Sequence, residues 1–364
     1  MAAPAPRAGV LDIAPYVPGR AGGLEDAPGT VLLSSNESPF GPSAKAVAAA
    51  RAAARVTHRY ADPSAAPLRE ALAARHGIAA GRIVCGAGSD ELSGLLARGY
   101  AGPGDEVVYS RHGFVMYPIA ARAAGARPVA VAERDLRFDV EATLAAVTAR
   151  TRVVFVANPN NPTGSWLARA EIARLRRDLP DHVLLVVDAA YAEYADDPDY
   201  DSGLGLARRH ANVVMTRTFS KIHALAGLRV GWAYAAPEVV DVLHRLRGPF
   251  NVSNVGIAAA TAALDDPAHE ARAKAHNARW RPRLARAIAA LGLTVYPSIG
   301  NFVLVRFPKA PKDAAAAHRF LARRKVLVRP VGSYGLPDCL RITVGRAGEN
   351  RVLLAALEAF MRAS

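Results

Sequence analysis

The segment TFSKIHALAGLR, from Thr218 to Arg229, places a lysine beside small hydroxyl residues and an arginine eight positions after that lysine. A lysine amine can condense with an aldehyde, and hydroxyl groups together with a guanidinium can hold a phosphate. An isolated Ser-Lys pair is more often an ordinary surface feature, so the interpretation depends on the motifs around it. Thr218, Ser220, Lys221 and Arg229 are the first candidate site residues.

Short runs of Val, Leu and Ile alternate with amphipathic helix patterns between residues 82 and 234. The runs at 153–157 and 183–187 are apolar throughout, which is typical of strands buried on both faces. We therefore predict an α/β fold with a mostly parallel sheet flanked by helices. Such sheets bind ligands at the carboxyl ends of their strands, so the polar motifs that follow the strands are candidates for a binding site.

The pattern divides the chain into three parts. Residues 1–30 are rich in Pro, Gly and Ala and are predicted to form an N-terminal arm, whereas residues 31–250 carry the alternating pattern of a large domain. Residues 251–364 predict a smaller α+β domain, since a long helix pattern is followed there by three strand patterns and two further helices. A chain of 364 residues suits this division.

Composition and charge exclude several classes of protein. The chain is 51% hydrophobic and has no apolar run near the ~20 residues that cross a bilayer, so no membrane partner is expected. The start lacks the apolar core of a signal peptide, which predicts a cytoplasmic protein. Cys85 and Cys339 form no metal-ligand spacing, so no metal is predicted. The net charge of +14 comes from scattered arginines, so we expect no nucleic-acid partner.

Three polar residues follow the buried strand patterns. Asp188 ends the run at 184–187, where a buried carboxylate needs a cationic partner, although capping of a following helix explains it equally well. Asn161 lies in the loop NPNNPTG at 158–164, for which an ordinary turn is the alternative. Tyr191 follows Asp188 by three positions and is either a hydrogen-bond donor or a packed aromatic residue.

Gly88, Ser89 and Asp90 join a strand pattern to a helix pattern. Small residues let a backbone approach a phosphate, and a helix N-terminus favours an anion, but helix capping explains the sequence equally well. Phe114 is placed either to stack on an aromatic ring or to fill the core, and Tyr60 is a further candidate donor.

Two arginines, Arg329 and Arg341, lie within or directly after β-strand patterns. An arginine in such a run either points to water or binds an anion, and guanidinium groups suit carboxylates and phosphates. Both are therefore candidates for substrate binding, with surface salt bridges as the alternative.

Taken together, these motifs resemble those of the histidinol-phosphate aminotransferases, a family of fold type I enzymes that use pyridoxal 5'-phosphate (PLP). The likeness runs from residue 11 to the C-terminal helix pattern, nearly the whole chain. Besides the segments described above, it includes NESP at 36–39, HGFVMY at 112–117, GPFN at 248–251 and LRITVG at 340–345.

The resemblance implies a homodimer that transfers an amino group between L-histidinol phosphate and 2-oxoglutarate, giving imidazole-acetol phosphate and glutamate. Lys221 would condense with the cofactor aldehyde and shuttle a proton, and Asp188 would pair with the pyridine nitrogen. Asn161 and Tyr191 would donate to the ring oxygen, and Phe114 would stack on the ring.

The resemblance also implies where the phosphate groups and the substrate bind. Tyr60 would reach the cofactor phosphate of the partner subunit. Arg341 would grip the carboxylate of glutamate or the phosphate of histidinol phosphate, Arg329 would assist with that phosphate, and Tyr16 of the arm would cover the substrate. Within one chain the cofactor phosphate would be held by Gly88, Ser89, Asp90, Thr218, Ser220 and Arg229.

Some alternatives stay open at this point. Ala189 and Phe114 stand where many relatives have glutamate and tyrosine, and the lost tyrosine hydroxyl loosens the substrate prediction. Aromatic amino-acid aminotransferases and a phosphothreonine decarboxylase share much of the pattern. A PLP-sensing transcription regulator is disfavoured, because about 30 residues before the first strand pattern are too few for a DNA-binding module.

Overall fold

The computed structural model describes residues 6–15 and 28–363, which build two β-sheets and the helices that pack on them. The strands are β1 (Val31–Leu33), β2 (Ile83–Gly86), β3 (Glu106–Ser110), β4 (Arg127–Val131), β5 (Thr151–Ala157), β6 (Leu184–Asp188), β7 (Val213–Thr218), β8 (Gly231–Tyr234), β9 (Thr294–Tyr296), β10 (Phe302–Arg306), β11 (Val326–Val331) and β12 (Leu336–Thr343). The helices are α1 (Ala44–Ala54), α2 (Ala66–His76), α3 (Ser89–Tyr100), α4 (Met116–Ala124), α5 (Val140–Ala146), α6 (Arg169–Asp178), α7 (Leu204–Arg209), α8 (Pro237–Leu246), α9 (Asn254–Leu264), α10 (Pro267–Ala289), α11 (Ala314–Arg323) and α12 (Ala347–Arg362).

The larger sheet has seven strands in the order β2-β8-β7-β6-β5-β3-β4. Its neighbouring strands are parallel, except that β8 is antiparallel to both β2 and β7. Successive residues of β5 enter two different cores, Val154 and Val156 on one face and Val153 and Phe155 on the other. Because both faces are covered, the strand is apolar throughout. The predicted α/β fold with a mostly parallel sheet is confirmed.

The smaller sheet has five strands in the order β1-β11-β12-β10-β9. All of its pairs are antiparallel except β1 with β11. Helices α10, α11 and α12 contribute Leu284, Leu321 and Leu353 to its core, and each of these side chains is fully buried. This part of the fold combines a mostly antiparallel sheet with three helices packed on it.

Two elements pack with the other sheet from the one that the predicted boundaries at residues 31 and 251 assign them to. Strand β1 belongs to the smaller sheet, because Leu32 pairs with Leu327 of β11. Helix α9 packs against α1 and α2, and its buried Ile257 and Ala260 join the core of the larger sheet. The first strand thus belongs to the smaller sheet, and the next strand of that sheet follows only after α9.

The carboxyl ends of β5, β6 and β7 meet at one edge of the larger sheet, where α3 also begins. Residues of β11 and β12 line the same cavity as residues from these strand ends. The site therefore lies where the two sheets approach each other, which is where parallel sheets bind ligands.

Across residues 6–15 and 28–363, none of the helices combines the length and the apolar character that a membrane span requires.

A glycine in β8 controls how closely α3 approaches the sheet. A Cβ at Gly231 would overlap the backbone nitrogen of Ser89 and lie 3.0 Å from the carbonyl oxygen of Arg217. We expect Gly231→Ala to lower the melting temperature measurably, because overpacking against backbone costs about 1–3 kcal/mol. Gly94→Ala is the matched control in α3: its Cβ would meet nothing within 4 Å, and alanine is the better helix former. Equal melting temperatures for the two variants would contradict this account.

Candidate active site

Twelve of the predicted site residues line one cavity of about 190 Å³ at the edge of the larger sheet. Some stand at strand ends, some in the loop after β7, and two on the smaller sheet. They are Ser89, Asp90, Phe114, Asn161, Asp188, Tyr191, Thr218, Ser220, Lys221, Arg229, Arg329 and Arg341.

Three predicted residues do not line this cavity. Gly88 lies directly behind it as the N-cap of α3, with a φ of 85° that favours glycine. Tyr60 is 83% exposed and stacks on Phe250 with ring centroids 4.5 Å apart, so the structure does not bring it to the cavity of its own chain. Tyr16 lies outside the described residues.

Lys221 follows the end of β7 by three residues and points its amine into the cavity. Its Nζ donates a hydrogen bond to the carbonyl oxygen of Ser35 at 3.1 Å and lies 5.7 Å from the ring centroid of Tyr191. Burial and the positive charge of Arg341 lower the pKa of this amine to about 8. A larger fraction of the amine is therefore neutral near physiological pH than for an exposed lysine.

Asp188 is the last residue of β6 and is only 6% exposed. Its carboxylate accepts hydrogen bonds from the Tyr117 hydroxyl at 2.8 Å and from Thr216 Oγ1 at 3.4 Å. Burial raises its pKa to about 6, and the nearby charge of Asp90 acts in the same direction. A cationic group next to this carboxylate would offset the cost of burying it.

The N-terminus of α3 faces a cluster of phosphate-binding side-chain types. Arg229 Nη1 donates to Ser220 Oγ at 3.2 Å, and the Thr218 hydroxyl donates to the same Ser220 oxygen at 2.9 Å. Arg229 also lies 3.6 Å from the carboxylate of Asp90 and against the Cα of Gly88, where no Cβ would fit. A helix N-terminus with a guanidinium and two hydroxyls is a suitable anion site.

The two arginines of the smaller sheet are buried side by side. Arg329 of β11 is opposite Arg341 of β12, and they are 6% and 5% exposed. Arg341 donates to the side-chain oxygen of Asn161 and, at 2.7 Å, to the carbonyl oxygen of Ser34. Like charges opposite each other on a sheet are unfavourable, so an anion bound between them would stabilise this arrangement.

No site role is predicted from the sequence for Tyr117 or Tyr334. Tyr117 lies behind the cavity, where it stacks on Phe155 and donates to Asp188, and Phe114 meets Tyr117 edge to face at 5.8 Å. The closeness of Tyr117 to Phe114 in the sequence is the only signal that could have placed Tyr117 beside the site. Tyr334 lines the cavity from the turn between β11 and β12, for which the sequence carries no signal.

The described residues fit a PLP cofactor. Asp188 could pair with a cationic ring nitrogen, and the α3 N-terminus with Arg229 could receive the phosphate. The Nε atom of Arg341 is buried and has no hydrogen-bond partner among the residues that the structure describes, so a polar group is accommodated there. A lysine amine, a strand-end carboxylate and an anion-binding helix N-terminus at the edge of a mostly parallel sheet define the fold type I class of PLP enzymes.

Comparison with known proteins agrees with this class. The family model for aminotransferase class I and II matches residues 28–357. A histidinol-phosphate aminotransferase from Paramagnetospirillum magneticum is 54% identical over 364 residues, covering all of both chains. One from Rhodospirillum centenum is 54% identical over 98% of each chain. The crystal structure of histidinol-phosphate aminotransferase from Sinorhizobium meliloti in complex with PLP matches with a TM-score of 0.85 and 35% identity, covering 91% of this chain and 90% of that one.

The chain therefore belongs to the class I and II aminotransferases and, among them, to the histidinol-phosphate aminotransferases. This confirms the family that the sequence motifs predict, and with it the prediction of an aminotransferase.

The raised pKa of Asp188 predicts a pH-dependent effect in the cofactor-free protein. Between pH 3.8 and about 6 the folded carboxyl holds a proton that the unfolded chain has released, so stability falls as pH rises through this window. Asp188→Asn removes that cost and can still accept the Tyr117 hydroxyl. We expect the variant to be more stable than the wild type by up to about 3 kcal/mol near pH 8, and equally stable near pH 4.

Thermal denaturation of the two cofactor-free proteins at both pH values measures this difference. Asp241→Asn is the control, because Asp241 is an exposed carboxylate paired with Arg245 and should change little at either pH. A wild type that is more stable than Asp188→Asn near pH 8 would refute the inference that burying this charged carboxylate lowers the stability of the protein.

Proposed function

We propose that this chain transfers an amino group between L-histidinol phosphate and 2-oxoglutarate, giving imidazole-acetol phosphate and L-glutamate in histidine biosynthesis, with PLP as its cofactor. The observation that carries the proposal is the pair of buried arginines, Arg329 and Arg341, in the same cavity as Lys221. The names of the full-length relatives support the choice of substrate.

The cavity residues would hold the cofactor by all of its polar groups. When bound, the cofactor supplies an aldehyde that accepts the amino group and a ring that stabilises negative charge on the substrate carbon. Asp188 would pair with the ring nitrogen, Asn161 and Tyr191 would donate to the ring oxygen, and Phe114 would pack against the ring. The phosphate would be bound by Gly88, Ser89, Asp90, Thr218, Ser220 and Arg229.

Lys221 would move the proton at the reacting carbon of the substrate. Its pKa of about 8 lets the amine both take up and release a proton near physiological pH. The hydrogen bond from the Lys221 amine to the carbonyl oxygen of Ser35 would hold the amine at the edge of the cavity. The negative charge of Asp188 would favour a protonated ring nitrogen.

The two arginines would recognise the anionic ends of both substrates. A guanidinium binds carboxylate and phosphate in the same bidentate way, so Arg341 could serve the carboxylate of glutamate and the phosphate of histidinol phosphate in turn. Arg329, on the neighbouring strand, would contribute a second charge for the phosphate. Tyr16 would cover the substrate.

Assembly and location stay predictions from the family resemblance and the sequence. They comprise a homodimer in which Tyr60 reaches the partner's cofactor phosphate, and a cytoplasmic location. Tyr60 is exposed and stacks on Phe250, so its ring is accessible to a partner subunit.

The substrate proposal is tested by steady-state kinetics with histidinol phosphate and with phenylalanine as amino donors. We expect histidinol phosphate to have the higher kcat/KM, because only it offers a dianion to the two arginines. Lys221→Ala should show no turnover with either donor, whereas Lys45→Ala, which removes an exposed lysine paired with Asp265, should keep it. A kcat/KM about tenfold higher for phenylalanine would instead identify an aromatic aminotransferase.

Arg341→Ala tests the recognition of anions. We expect KM to rise about tenfold or more for both histidinol phosphate and 2-oxoglutarate, because a hydrogen-bonded ion pair is lost, while the cofactor absorbance stays. Arg306→Ala is the control: this arginine lies on the neighbouring strand β10 but forms a surface ion pair with Asp338 at 2.7 Å. An unchanged KM in Arg341→Ala would contradict its proposed role.

A further inference from the structure

Asn36 connects the two sheets at a point that the proposed mechanism does not use. It follows β1, is fully buried and has a φ of 56°, which asparagine tolerates better than most residues. Its neighbours through hydrogen bonds are Thr343 of β12 and Asn301 on the smaller sheet, and Tyr191 next to the larger one.

The structure gives the hydrogen bonds around Asn36 a consistent direction. The backbone N–H of Asn36 donates to Thr343 Oγ1 at 3.0 Å, and the Thr343 hydroxyl donates to the side-chain oxygen of Asn36 at 3.1 Å. The amide nitrogen of Asn36 points the other way and donates to the Tyr191 hydroxyl at 3.0 Å.

The Tyr191 hydroxyl is therefore an acceptor towards Asn36. It has a single proton, which is left for a different acceptor. The side chain is 4% exposed, lines the cavity and is packed edge to face against Phe302 at 5.3 Å, so its ring has little freedom to turn. The direction of the proton is thus set by the neighbours of the hydroxyl.

We propose that Asn36 and Thr343 are positioning residues that orient the Tyr191 hydroxyl so that it donates its proton into the cofactor cavity. The inference rests on the proposed function, because the ring oxygen of PLP is the acceptor. The inference adds that Thr343, on the smaller sheet, determines the direction of a hydrogen bond that Tyr191 makes beside the larger sheet.

The visible absorption of the bound cofactor measures this effect. A hydrogen-bond donor to the ring oxygen favours the unprotonated state of the lysine-bound cofactor. A weaker donor therefore raises the midpoint, which is the pH at which the absorption band is half converted. We expect Asn36→Gly, which keeps the positive φ, and Thr343→Val to raise the midpoint by roughly 0.4–1 pH unit, corresponding to one hydrogen bond. Thr343→Ser retains the hydroxyl and should keep the wild-type midpoint.

A comparison of double variants separates an effect on the orientation of the Tyr191 hydroxyl from a general disturbance of the site. In a Tyr191→Phe background the hydroxyl is absent, so Asn36→Gly and Thr343→Val should produce no further shift. A shift of equal size in that background would overturn the proposal, as would an unchanged midpoint in both single variants. The charged groups acting on Tyr191 are Arg341, Asp188 and Asp90, with Lys221 beside its ring, and these substitutions alter none of them.

The outcome also distinguishes failure of the inference from failure of the proposed function. If the wild-type protein saturated with PLP shows no visible band that borohydride fixes to Lys221, the proposed function is wrong. If the band is present and titrates identically in the wild type, Asn36→Gly and Thr343→Val, only the orientation by Asn36 is wrong. Thermal denaturation of each variant confirms that a folded protein was titrated.

Discussion

The buried carboxylate of Asp188 is the constraint on which the site depends. It ends a fully buried strand, and burial raises its pKa even though the hydrogen bonds from Tyr117 and Thr216 act in the opposite direction. A carboxyl group in that position is costly unless a positive charge is brought to it. A cationic ring placed beside Asp188 would offset this cost, and this favours binding over an empty cavity.

The cavity is completed from both sheets, and the chain order explains how. Because β1 pairs with β11, the segment that follows β1 is attached to the smaller sheet. Ser34 and Ser35 in this segment accept hydrogen bonds from Arg341 and Lys221, one from each sheet. A short stretch of backbone thus sets the separation between the anion-binding groups and the reactive amine. These contacts are made by backbone carbonyl groups, so no distinctive side chain marks the segment in the sequence.

The sequence could predict the part of the site that follows the parallel strands, but not the part that depends on the distant pairing of β1. Lys221, Asp188 and Asn161 follow buried strands, and the rule that parallel strands bind ligands at their carboxyl ends is sufficient to bring them together. Strand β1 has only three residues, and its partner lies almost three hundred positions away, so no local pattern indicates the pairing. The alanine-rich α9 has apolar residues on all sides, and its position against α1 and α2 depends on tertiary packing.

Strand β12 shows how one local pattern allows two structures. Leu340, Ile342 and Val344 alternate with Arg341 and Thr343, which is typical of a strand with one face in water. In the structure both faces are buried: the apolar residues fill the core of the smaller sheet, Arg341 lines the cavity, and Thr343 is hydrogen-bonded to Asn36. Arg341 and Thr343 lie on the same face of the strand because they are two positions apart. Arg341 is the proposed anion-binding residue and Thr343 begins the proposed hydrogen-bond chain through Asn36 to Tyr191, so one face of a single strand carries both groups.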